Sequence, residues 1–257
     1  MLRIERRGDH GPVVTLLHEL GGNATTFRWL VPHLAGLRTL AVDLPGTRGS
    51  PPVAEDATLP DIAALVAQSL DAERIGPSVV VGVAGGAGVA AALAADRPDL
   101  CRALVYVSLG ATIDSATAAY IRNRVPIVRE HGMERVTDAS LARSYPESLR
   151  ASTGPVFEEY RAEFVASDID GYITQGLALA ASGADLGTYL SMVRAPTVVV
   201  GGGADELFPP PTIDSAAARA ANLIARVRLP GVAHLPHLQA PMALAGAITI
   251  AAGCAAN

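Results

Sequence analysis

The 257-residue sequence contains no lysine: lysine and arginine together number 20, and all 20 are arginine. That absence excludes mechanisms built on an amine, including Schiff-base catalysis, the phosphate-binding P-loop and the Tyr-Lys pair of short-chain dehydrogenases. Cysteine is nearly absent. Cys101 and Cys254 are too few for a disulfide framework and lack metal-ligand spacing, so neither a metal nor a cofactor is expected. Aromatic residues make up 4% of a chain that is 50% hydrophobic, so a core must be built mainly from small aliphatic side chains. The net charge is −5 and no basic block stands out, which argues against a nucleic-acid partner. Long apolar runs are lacking too. The charged start MLRIERRGDH has no signal-like segment, and MALAGAITIAAG near the C-terminus is too short to cross a bilayer. A cytoplasmic protein without a membrane partner is expected. The closing CAAN reads as a frayed helix end rather than a prenylation box. Nothing in the sequence sets an oligomeric state.

What is present is a rhythm. Apolar, β-branched runs at Val13–Leu17, Thr39–Val42, Val79–Val81, Ala103–Val107 and Thr197–Val200 read as buried strands of a parallel sheet, with a weaker sixth at Ala225–Leu229. Helix-compatible segments alternate with them: Ala24–Ala35, Leu59–Glu73, Gly85–Ala95, Pro211–Asn222 and Pro241–Ala252. The alternation predicts an α/β class with a mostly parallel, doubly wound sheet. Residues 111–190 break the rhythm, being polar and helix-compatible without a convincing buried strand. The expected organisation is therefore a core of residues 1–110 and 191–257 with a helical cap inserted between, over the crevice where open α/β sheets bind ligands.

The stretch VVVGVAGGAGVA, residues 79–90, runs from a strand through glycines into a helix. As a nucleotide loop it fails: it follows two strands, and the next strand closes on Ser108 rather than an acid that could hold a ribose. As a nucleophile elbow it fits. The G-x-S-x-G pattern needs small residues around a strained tip, and Gly82-Val83-Ala84-Gly85-Gly86 supplies them with alanine where serine is expected. An acid and then a histidine should follow in that order. Asp205 lies in GGGADELFPP after the fifth strand, and His234 lies in GVAHLPHLQAP before the last helix. A carboxylate orienting an imidazole is the unit that general-base catalysis requires. His237 is expected at the rim.

These segments, with LLHELGGNATTFRWLVPHLA, TLAVDLPGTRGSP and VVVGVAGGAGVAAALAADRPDLCRALVYVS, resemble the α/β-hydrolase superfamily over almost the whole length. The cap end FVASDIDGYITQGLALAASGADL is similar to the 3-oxoadipate enol-lactonase-like group. The resemblance implies an α/β-hydrolase fold. It puts Ala84 at the nucleophile position, Asp205 and His234 as triad acid and base, and the backbone amides of Leu20 and Gly85 as the oxyanion hole. The family's His-Gly-x-Gly loop is here His18-Glu19-Leu20-Gly21, which makes Glu19 a candidate acid or base, provided an enclosed cleft raises its pKa; a structural carboxylate is the other reading. His18 and Trp29 are assigned to the substrate pocket, with Phe27 in the core or cleft wall. The arginines of the insertion (Arg122, Arg124, Arg129, Arg143) read mostly as a solvated face, with attraction of an anionic substrate as the alternative.

Three functions fit. The first is an enzyme acting on a small carbonyl compound, an ester, a lactone or a C–C bond, without a serine nucleophile. The second is a serine esterase or lactonase whose nucleophile was replaced by engineering, leaving Ala84. The third is a non-catalytic protein that keeps the pocket to bind a ligand.

Overall fold

The computed structural model describes residues 1–254. Seven strands form one sheet: β1 (Ile4–Arg7), β2 (Val13–Leu17), β3 (Arg38–Val42), β4 (Ser78–Val83), β5 (Cys101–Val107), β6 (Thr197–Gly202) and β7 (Leu223–Leu229). Their order is β1-β3-β2-β4-β5-β6-β7. β1 runs antiparallel to β3, and every other neighbouring pair is parallel.

The inner strands are mostly apolar because both faces of the sheet are covered. Successive residues alternate between two cores. Leu17, Val80, Leu104, Tyr106 and Val199 face one; Leu16, Val79, Val81, Val105, Val198 and Val200 face the other. The helices are α1 (Leu59–Ala72), α2 (Gly85–Asp96), α3 (Ser115–Arg122), α4 (Arg124–His131), α5 (Glu134–Ser144), α6 (Glu147–Arg150), α7 (Val156–Val165), α8 (Ile169–Ala181), α9 (Asp185–Met192), α10 (Pro210–Arg219), α11 (Pro236–Gln239) and α12 (Pro241–Cys254). α1, α2 and α10 cover the first face, and α12 covers the second. α2 is apolar all round because it is packed between the sheet, α1 and α9. A capping box between Thr58 and Asp61 fixes the start of α1.

α3 to α9 lie in the chain between β5 and β6 and are called the insertion here. Several of them share a third core containing Val128, Leu141, Tyr145, Phe157, Tyr160 and Phe164. Leu235, from the loop after β7, and Leu238, from α11, complete that core.

Two elements differ from expectation. Ala24–Ala35 is not an α-helix but two 3₁₀ turns, Ala24–Trp29 and Val31–His33. Pro32 removes the N–H that would bond the carbonyl of Arg28, so a continuous helix cannot form there. β1, a charged IERR run, carries no apolar pattern and pairs on one side only. Cys254 ends α12; residues 255–257 of the expected frayed end lie outside the described residues. No described helix is long and apolar enough to cross a membrane.

Candidate active site

β3 lies on one side of β2 and β4 on the other, so the loops leaving the C-terminal ends of β2 and β4 diverge. Open α/β sheets bind ligands at such a switch point. A cavity of about 110 Å³ lies there. Glu19 and Leu20 line it from the loop after β2, and Ala84 and Gly85 from the turn after β4. Leu207, Phe208, His234 and Leu235 come from the loops after β6 and β7, and Tyr120, Arg124, Ser140, Tyr160 and Tyr172 from the insertion. The volume is several times the roughly 10–15 Å³ that one water needs.

The turn after β4 is strained. Ala84 has φ 48° and ψ −117°, a conformation that costs a non-glycine residue about 1–2 kcal/mol. The Ala84 N–H donates to the Val107 carbonyl at 2.8 Å, tying the tip to β5. Close approach explains two glycines. A Cβ on Gly82 would lie 2.3 Å from the Gly86 carbonyl oxygen, and one on Gly86 would lie 2.4 Å from the His18 carbonyl oxygen. A Cβ on Gly85 would lie 3.5 Å from the Leu20 nitrogen, so the Leu20 and Gly85 backbones run side by side. Neither amide donates to an acceptor among the described residues.

Asp205 and His234 meet as their order in the chain suggests. His234 Nδ1 lies 2.9 Å from Asp205 Oδ2. A carboxylate only accepts, so Nδ1 carries the proton and Nε2 remains the basic nitrogen. Asp205 Oδ1 accepts from the amides of Leu207 at 2.8 Å and Phe208 at 3.0 Å. The Phe208 ring stacks on the imidazole with centroids 5.7 Å apart. The loop is also fastened to the insertion: Gln239 accepts from the Ala233 amide at 2.9 Å and donates to the Ser144 carbonyl at 3.0 Å.

Glu19 is buried, and His237 Nε2 lies 3.2 Å from its Oε2. His237 is therefore not on a rim. It is fully enclosed, with the Phe27 ring 5.4 Å away. The contact is off the hydrogen-bonding direction, and neither carboxylate oxygen nor either ring nitrogen finds another partner among the described residues. Burial alone pushes the Glu19 carboxyl up, but His237, aided by His18, outweighs it and holds the carboxyl below the ordinary range. The raised value on which the acid reading depended is not found. Burial, with the Glu19 charge beside it, pushes the Tyr160 hydroxyl well up, so Tyr160 stays protonated near that carboxylate.

His18 and Trp29 do not line the cavity. His18 is fully buried, with Nδ1 2.8 Å from the Glu19 carbonyl oxygen and Nε2 accepting from the Leu44 amide at 3.0 Å. That fixes the neutral Nδ1–H form, and burial lowers its pKa. It holds the loop in place. Trp29 packs on the insertion core with the Arg28 guanidinium 3.5 Å over its ring. Phe27 sits in the second core. Among the insertion arginines, Arg129 pairs with Glu55 at the surface, whereas Arg124 is buried in the cavity wall. The tyrosines of the insertion carry no spacing that could have marked them. Phe208 stands three residues after Asp205, the one signal available. Among the described residues, no group of three or more His, Cys, Asp or Glu side chains forms a metal site.

Comparison with known proteins bears on the fold and the family. RutD of Enterobacter cloacae subsp. cloacae, named as a carbamate hydrolase, is 34% identical over 155 residues, 58% of this chain and 57% of that one. The chain thus spans little more than half of that relative. A thermophilic esterase from Thermogutta terrifontis, solved with malate bound, superposes with a TM-score of 0.91 at 24% identity, covering 100% of this chain and 94% of that one. The enol-lactonase from Burkholderia xenovorans LB400 superposes with a TM-score of 0.87 at 21% identity, covering 97% and 95%. The family model described as the alpha/beta hydrolase fold matches residues 12–241. The chain belongs to the alpha/beta hydrolase fold family.

Proposed function

We propose that this protein is an enzyme that attacks a small carbonyl compound, an ester, lactone or activated C–C bond, without a serine nucleophile. The reading rests on the 2.9 Å contact between His234 and Asp205 in the wall of the cavity that Ala84 also lines. Ala84 occupies the nucleophile position and offers only a methyl group. In this reading His234 Nε2 takes a proton from water, and the resulting hydroxide adds to the carbonyl carbon. The Leu20 and Gly85 amides, neither of which has an acceptor among the described residues, donate to the oxyanion. As the intermediate collapses, the imidazolium returns its proton to the leaving group. Deprotonation of the substrate by the same nitrogen is the parallel route for a C–C bond. Glu19, its carboxyl held below the ordinary range beside His237, is not an acid here and takes no proton in this scheme; it adds a fixed negative charge to the cavity wall. The helices of residues 111–190 act as a cap that closes the cavity. The scheme needs no metal or cofactor, and it suits a soluble small-molecule enzyme of the cytoplasm.

A second reading is supported by the strain at Ala84. A positive φ at an alanine is costly, and it is the conformation an elbow serine would use. In that reading the chain is a serine esterase or lactonase from which the hydroxyl has been removed. Losing a triad nucleophile costs on the order of 10⁶ in kcat, while oxyanion donors and binding retain roughly 10³–10⁴ over water. The test is to assay the unmodified chain, Ala84→Ser and His234→Ala on a panel of aryl esters and lactones. Turnover by the unmodified chain that His234→Ala abolishes and Ala84→Ser fails to raise supports the water mechanism. A gain of several orders of magnitude in Ala84→Ser overturns it in favour of the missing serine. If neither protein turns over, yet a panel compound raises the melting temperature, the cavity is a binding site only.

A further inference from the structure

The insertion puts one positive charge into the cavity wall. Arg124, at the start of α4, is 7% exposed and is the only arginine among the described residues that is buried. Its guanidinium donates to Tyr120 Oη, Ser140 Oγ and the Val136 carbonyl, and it lies 4.1 Å over the Tyr120 ring. All these partners are neutral. No carboxylate among the described residues comes within ion-pair distance of it. The one acidic side chain in the cavity wall, Glu19, is engaged with His237.

A buried guanidinium without a counter-charge is unfavourable unless something supplies one. Val136, Ser140 and Tyr120 take three of its five N–H groups and the Tyr172 hydroxyl stands within reach of another, but all four partners are neutral, so the charge itself is unmatched. Tyr172 stands close enough for the Arg124 charge to oppose the upward push of burial on its hydroxyl. The cavity therefore has two poles. The elbow amides and His234 lie at the sheet, and an uncompensated cation sits in the insertion.

We propose that Arg124 is the anchor for a carboxylate on the substrate, so that this cavity takes carbonyl compounds bearing a free carboxylate at the end remote from the reacting carbonyl. The proposal rests on reading this cavity as the active site. A planar guanidinium fork matches a carboxylate in a paired, charge-assisted contact that a neutral ester cannot make.

Titration calorimetry of the full chain with monomethyl glutarate and dimethyl glutarate tests it. The two probes share a methyl ester and differ in one negative charge. The monoester is expected to bind about tenfold more tightly or better. Arg124→Gln should erase that preference and leave diester affinity within about twofold. Arg124→Lys, which keeps the charge without the fork, should retain part of it. Because the Gln substitution also removes bonds to Tyr120 and Ser140, the unmodified chain provides the control: added salt should weaken the monoester and not the diester. Equal binding of the two probes, no binding of the monoester, or a preference that survives Arg124→Gln overturns the proposal. Turnover without charge preference removes the anchor and leaves the catalytic reading. Charge-dependent binding without turnover removes the catalytic reading and leaves the anchor.

Discussion

His237 Nε2 and Glu19 Oε2 lie 3.2 Å apart with neither side chain reaching solvent, at an angle that makes no hydrogen bond. Removing one partner of a buried polar pair typically costs about 1–3 kcal/mol, more where a charge is left uncompensated, whereas removing both is far milder. Glu19→Ala and His237→Ala are each expected to lower stability by about that amount, and the double variant by much less than the sum. Urea denaturation of the four proteins measures the coupling. Additive losses would mean that the two groups do not sense each other.

Glu19 has room because residue 22 is glycine. A Cβ there would sit 2.2 Å from Glu19 Oε1. Gly22→Ala is therefore expected to destabilise the chain by about 1–3 kcal/mol, as overpacking does. In a Glu19→Ala background the same substitution should cost well under 1 kcal/mol. Melting curves of the single and double variants decide this, and an equal cost in both backgrounds would place the clash elsewhere.

Acid should weaken the fold in two stages. His18 is held neutral, with its pKa lowered by burial, while the unfolded chain takes up a proton near pH ~6.5. Stability is thus present above that pH and falls as the pH drops towards the folded value. Glu19, also lowered, contributes stability above the usual carboxylate pKa of about 4.3 and loses it as the pH falls further. Denaturation midpoints between pH 7 and pH 5 should fall in the unmodified chain, with a flatter slope in His18→Asn. Parallel slopes would show that His18 does not titrate between the two states.

In the proposed reaction, Asp205→Asn keeps an oxygen for the Leu207 and Phe208 amides but disturbs the His234 tautomer. It and His234→Ala should lower kcat by about 10²–10⁴ with KM little changed. Steady-state kinetics on whichever panel ester is turned over checks this; a loss confined to KM would assign the pair to binding instead.

The parts of the molecule that were legible in the sequence share one property: they are buried on all sides or fixed by chain order. β2 to β6 could be read because each is largely apolar, and the meeting of Asp205 with His234 because each follows a strand, the acid before the histidine. β1 could not be read, since a charged edge strand, IERR, is held by backbone bonds that leave no trace in composition. The Ala24–Ala35 segment has the apolar spacing of a helix, and only Pro32 shows why it breaks. Nothing in the spacing of Arg122, Arg124 and Arg129 tells which one turns inwards, because packing among short helices decides it. His237 was misplaced for a similar reason: its partner is a glutamate in the first loop, and no local pattern links the two.

The fastening of the His234 loop to the insertion has a consequence for ligand exchange. Gln239 bonds both the Ala233 amide and the Ser144 carbonyl, while Leu235 and Leu238 sit in the core of the insertion itself. The insertion cannot swing out as a rigid flap without dragging the imidazole from Asp205. In the proposed reaction an open chain would therefore be a disarmed one, and a ligand that forces the insertion upward would part the imidazole from Asp205. A ligand that slips in past moving side chains would leave the His234–Asp205 contact whole.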